Sequence, residues 1–91
     1  MKIKIKKGKF YKSLVGNEYI RVDGFDEDEY PFGVIFESSD NYFAFASDAY
    51  LEIAFNMVRY KETTEKEFYT ALDLAREQFI RSFKAVKGGV L

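Results

Sequence analysis

Thr64-Glu65-Lys66-Glu67-Phe68-Tyr69-Thr70-Ala71-Leu72 opens the clearest element of the chain and decides its fold class. Thr64 followed three residues later by Glu67 has the spacing of a capping box, in which the hydroxyl accepts from a free N–H of the first turn and the glutamate reaches back. Phe68, Leu72, Ala75, Phe79 and Phe83 then recur at helical spacing, with Ala71 and Ile80 beside them, so one face is apolar. Glu62, Glu65 and Glu67 near the start and Arg81, Lys84 and Lys87 near the end suit the helix dipole. Gly88-Gly89 supplies a stop. The pattern predicts a helix over residues 64–87.

Upstream the period shortens. Lys2-Ile3-Lys4-Ile5-Lys6 alternates charge with branched apolar side chains, the pattern of a half-buried strand. Lys7-Gly8-Lys9 reads as a bend, after which Phe10 to Val15 is extended. Gly16-Asn17 is a two-residue turn signal leading into a strand over Glu18–Val22, and Asp23-Gly24 reads as a second turn. Asp26-Glu27-Asp28-Glu29 is too self-repulsive for a core and is placed on a loop, which Tyr30-Pro31 prolongs. Phe32–Glu37 and Tyr42–Ala46, joined by Ser38-Ser39-Asp40-Asn41, form a further hairpin.

Between the strands and the helix the signal is mixed. Leu51, Ala54, Phe55 and Val58 share a helical face that Ser47 or Asp48 would cap, whereas Leu51, Ile53, Phe55 and Met57 alternate as a strand does. The expected architecture is therefore α+β: an antiparallel meander of about four strands over residues 1–46, a short helix or fifth strand over 47–61, and one long C-terminal helix packed on the sheet. At 91 residues with 47% hydrophobic content, a single domain spanning residues 1–91 is expected.

Composition removes several function classes. The absence of cysteine excludes disulfide frameworks and thiolate chemistry, and the absence of histidine removes the usual acid–base group near neutral pH. The serines have neither a histidine partner nor a G-x-S-x-G elbow, and the glycines form no phosphate-binding loop. The carboxylate run lacks the order of a calcium-binding loop. No enzyme activity, metal or cofactor is expected. No apolar run follows the N-terminal lysines as a secretory signal requires, and the longest uncharged segment, Asn41 to Ser47, falls far short of the roughly 20 residues of a membrane helix. A cytoplasmic protein with no membrane partner is expected.

Charge is where the chain departs from the ordinary. The formal net charge is only -1, but residues 1–22 carry seven basic groups and one acid, whereas residues 23–52 carry nine acids and no base. This asymmetry points to a binding surface made of Asp23, Asp26, Glu27, Asp28, Glu29, Tyr30, Asp40 and Tyr42, with Phe32 and Tyr50 as further aromatic anchors, whose partner is another protein with a basic surface. An inhibitor or regulator of a nucleic-acid-handling protein would have this character, because the same field that draws DNA draws an acidic surface. The second reading is nucleic-acid binding by Lys4, Lys6, Lys7, Lys9 and Lys12, with Tyr11 stacking on bases. The plainer account of that segment is a lysine-protected edge strand whose rings face the core. A third reading is a homodimer joined through Phe83, Val86, Val90 and Leu91.

Overall fold

A computed structural model describes residues 5–39, 42–51 and 59–90, with side chains to residue 82. Five strands, β1 (Phe10–Ser13), β2 (Glu18–Phe25), β3 (Pro31–Ser39), β4 (Tyr42–Tyr50) and β5 (Tyr60–Thr63), precede one helix, α1 (Glu65–Val90). The strands form one antiparallel sheet in the order β4-β3-β2-β1-β5, so β1 to β4 are a meander and β5 closes onto the far side of β1. The fold is α+β, as the change of period from two to helical spacing implies.

Gly16 takes the left-handed φ of +91° in the β1–β2 turn, the freedom its Gly-Asn signal promised. Strand β2, however, does not stop at Asp23-Gly24. It runs on to Phe25 because Asp23 is accommodated as a bulge between the Val22–Gly33 and Gly24–Phe32 pairs. Gly33 permits the close approach there: a Cβ at this position would lie 2.0 Å from the Arg21 carbonyl oxygen. A second irregularity falls between Gly33 and Ile35, where Ala46 and Ala49 are the successive partners on β4. The intervening Ser47-Asp48 forms the bulge, with Asp48 at a φ of +51°.

That bulge corrects the expectation of a helix cap at Ser47 or Asp48, since both lie inside β4. Of the ambiguous segment 47–61, its start completes β4 and its end begins β5, giving a fifth strand at Tyr60–Thr63. Ile53, Ala54, Phe55, Met57 and Val58 lie outside the described residues, as do Lys2 to Lys4 of the expected first strand. Ile5 and Lys6, which are described, are not in a strand. Helix α1 starts where expected, with the Thr64 hydroxyl accepting from the Glu67 N–H at 3.0 Å. It also passes through Gly88-Gly89, which corrects the expected stop. Glycine weakens a helix by about 1 kcal/mol but removes no backbone donor.

The sheet buries side chains on both faces. Beneath α1, Phe10, Val34 and Phe36 pack with Phe68 and Ala75, flanked by Tyr19, Phe43, Ala71 and Leu72. Phe68 is the hub, its ring 5.1 Å from Phe10, 5.3 Å from Phe36 and 5.0 Å from Tyr69. On the opposite face Tyr11, Ile20, Val22, Leu51 and Tyr60 form a second cluster with Ile5, Ile35 and Ala49 around it. Strand alternation produces this division directly: Phe10 and Tyr11, neighbours in sequence, serve opposite cores.

Candidate protein-binding end of the sheet

The turn between β2 and β3 is built by Asp26. Its Oδ1 accepts from the N–H groups of Asp28 and Tyr30, both at 2.9 Å, while its own N–H donates to the Tyr30 carbonyl at 3.0 Å. The Glu29 N–H donates to the Asp26 carbonyl at 3.0 Å, and Glu29 adopts a φ of +66° to allow it. Four consecutive acids are thereby held in one braced loop in which Glu27, Asp28 and Glu29 are exposed. Asp26 itself is half-buried and serves the turn.

Register then decides which of the other candidates join that loop. Strand β4 returns to the same end of the sheet, where Tyr50 pairs with Phe32 and Phe25 pairs with Pro31. Phe25, Tyr30 and Tyr50 are 40%, 43% and 69% exposed, giving three rings around the acidic loop. Phe25 is the ring that the sequence reading leaves out, and only strand pairing brings it and Tyr50 to the same end of the sheet.

Tyr42 goes elsewhere. It pairs with Ser39 at the other end of β3, about 26–27 Å from Pro31 at the usual rise of a strand. Asp40 lies outside the described residues. Asp23 sits near the loop but is engaged: Arg21 Nε donates to its Oδ1 at 2.7 Å and a second guanidinium nitrogen donates to Oδ2 at 3.2 Å. The same guanidinium donates to the Tyr69 hydroxyl at 2.8 Å, tying the bulge to α1, and these contacts hold Arg21 firmly in its charged form.

The N-terminal lysines are only partly assembled. Lys6, Lys7 and Lys9 reach the same end of the sheet, since Gly8 N–H donates to the Val22 carbonyl and Val22 N–H donates to the Lys9 carbonyl. Lys9 lies 3.9 Å from Glu62, and Lys12 points to α1, 2.8 Å from Glu67. Among the described residues no ion pair joins Lys6 or Lys7 to the acidic loop. Tyr11 corrects the stacking expectation: its ring is 1% exposed, inside the second core, and its hydroxyl accepts from the Lys6 N–H. Phe10 is likewise buried, so the rings of this segment face the cores. Lys4 lies outside the described residues, as do the side chains of Phe83 and Val86 and those of Val90 and Leu91.

A polar cluster that the sequence did not announce lies at the opposite end of the sheet. Glu18 and Glu37 are direct cross-strand partners, and the buried Tyr60 hydroxyl donates to Glu18 Oε1. Ser13 Oγ, also buried, accepts from the Glu18 N–H at 3.2 Å. Desolvation raises the Glu37 carboxyl above its ordinary value, and hydrogen bonding with Glu18 and the Glu18 charge raise it further. Burial likewise pushes the Tyr60 hydroxyl up, with Glu18 reinforcing the shift. Glu18, Glu37 and Tyr60 are far apart in the chain and carry no motif, so only the β1–β2, β2–β3 and β1–β5 registers reveal the cluster.

Among the described residues no three acidic groups converge on a metal-sized site, and no helix is long and apolar enough to cross a membrane. Comparison with protein-family models, with curated proteins and with solved structures finds no match.

Proposed function

We propose that this chain is a small, non-catalytic protein-binding module of the cytoplasm whose working surface is the end of the sheet formed by Phe25, Glu27, Asp28, Glu29, Tyr30 and Tyr50. The observation that carries the reading is the braced acidic loop flanked by three exposed rings. A braced loop loses little backbone freedom on association, and aromatic side chains are the usual anchors of protein interfaces. The partner is a protein with a basic surface, and the module acts as its inhibitor or regulator by occupying a surface that nucleic acid would otherwise hold. Nucleic-acid binding by the chain itself is disfavoured by the burial of Tyr11 and by the pairing of Lys9 and Lys12 with glutamates.

The test is capture from nuclease-treated host lysate at low and high salt, comparing the wild type with a variant carrying Glu27→Lys, Asp28→Lys and Glu29→Lys. Asp26 is spared because it holds the turn. A basic protein retained at low salt, released at high salt and lost by the variant, with the circular dichroism spectrum unchanged, is the expected result. Equal capture by both proteins sinks the proposal. Retention of added single-stranded nucleic acid that weakens when Lys6, Lys7 and Lys9 are neutralised would move the working surface to the lysines.

A further inference from the structure

The two edges of the sheet are unlike. Strand β5 is four residues long, carries Lys61 and Glu62, and is blunted in the way edge strands usually are. Strand β4 is nine residues long, and Tyr42-Phe43-Ala44-Phe45-Ala46 holds no charge, no proline and no lysine. Its only charge, Asp48, sits past that run in the bulge. Tyr42 and Phe45 are about half exposed.

Helix α1 adds to this edge. It begins over β1, where Phe68 and Tyr69 meet Phe10, and reaches β4 at Phe79, whose ring lies 5.9 Å from Phe43. From Phe79 the helix continues to Val90, about 16 Å further at the ordinary rise. The molecule is accordingly 49 Å long and only 24 and 23 Å across. Phe79 and Ile80 are 45% and 47% exposed.

We infer that β4 pairs antiparallel with β4 of a second copy about a two-fold axis at Ala44, making a continuous ten-stranded sheet. The segment is complementary to itself. In that register Phe43 meets the partner's Phe45 and Phe45 meets the partner's Phe43 on the helix face, extending the stacked Phe43–Phe45 pair of each chain. On the other face Ala44 meets its own copy and Tyr42 meets the partner's Ala46, so the bulk of one side chain falls on the small residue of the other. Within Tyr42–Ala46 no like charges face one another, because the segment carries none. Phe79 of each chain, against Phe43, borders the seam. At roughly 100 Å² for each half-exposed large apolar side chain, Tyr42, Phe45 and Phe79 contribute about 600 Å² from the two copies. The paired backbones, with Phe43, Ala44 and Ala46 between them, bring the total toward the roughly 1,000 Å² of a specific interface. A strand from an unrelated protein could use the backbone edge but would not supply the matching Phe and Ala positions or the second helix. Asp48 and Tyr50 lie beyond the seam, so the dimer would present two acidic ends to partners.

The absence of cysteine from the chain allows a direct test. Ala44→Cys places two thiols opposite each other at the axis, within the reach of a disulfide, whereas Lys61→Cys on the β5 edge serves as control. Sedimentation equilibrium of the full chain should show the mass rising from 10.6 kDa toward twice that value with concentration. Mild oxidation should convert Ala44→Cys, but not Lys61→Cys, into a covalent dimer, and Phe45→Lys should remain a monomer at every concentration. A wild-type monomer throughout, with no disulfide in Ala44→Cys, overturns the inference. So does a dimer that survives Phe45→Lys while Ala44→Cys fails to cross-link, since it would use another surface. Where Phe45→Lys does not fold, the cross-link decides alone.

Discussion

Glu37 faces Glu18 across the β2–β3 pair, and the cost of that meeting depends on pH. The Glu37 carboxyl ordinarily titrates near 4.5, and desolvation, then the hydrogen bond with Glu18 and its charge, raise that value in the folded protein. The folded state thus holds a proton that the unfolded chain has already released. Stability from this pair is fully present below the ordinary value and is lost as pH rises through the raised one. Glu37→Gln should therefore raise the melting temperature at neutral pH by a few degrees, since a like-charge cross-strand pair costs about 0.2–1 kcal/mol. Thermal denaturation followed across pH should show that gain vanishing below about pH 4. Asp26 teaches a related lesson. In the sequence it is one of four adjacent acids, and its distinct role in bracing the turn comes from the backbone N–H groups that fold back onto it. The charge run was legible in the sequence, but the division of labour within it was not.

At the scale of elements, local signals were read well where the competing interactions were also local. The Thr64 cap and the apolar face from Phe68 to Phe79 depend on neighbours within a turn or two, and α1 begins at Glu65 as the spacing implies. Thr64→Ala should cost about 1 kcal/mol and lower the melting temperature by roughly 4–8 °C, measurable by circular dichroism at 222 nm with little change in the folded spectrum. The Asp23-Gly24 signal failed because pairing with β3 continued the ladder through it as a bulge. Ser47-Asp48 failed in the same way: a good capping pair was drawn into β4 by its register with β3. In both places a turn-forming sequence was outweighed by strand hydrogen bonds to a partner distant in the chain.

For the whole molecule, the consequential feature is a sheet with a core on each face. The cluster beneath α1 is organised by Phe68, which is fully buried and meets Phe10, Tyr19, Phe36 and Tyr69. Phe68→Ala should cost about 3–5 kcal/mol, a large share of the 5–15 kcal/mol that holds a small domain together. Urea denaturation should show the midpoint falling sharply, and a loss under about 1 kcal/mol would mean that α1 contributes little to the fold. The amino-acid sequence by itself determined the α+β class, the antiparallel hairpins, the helix and its start, and the lack of histidine and cysteine chemistry. These follow from residue types and from periods that repeat over a few positions, so they need no knowledge of distant contacts. Only the tertiary structure decided that β5 closes onto β1, that Tyr11 is buried, that Glu18 meets Glu37, and that the acidic loop gathers Phe25 and Tyr50 while Tyr42 lies at the far end. The physical reason is that strand order and register are set by side-chain burial between segments far apart in the chain, and a shift of one residue sends every side chain to the other face.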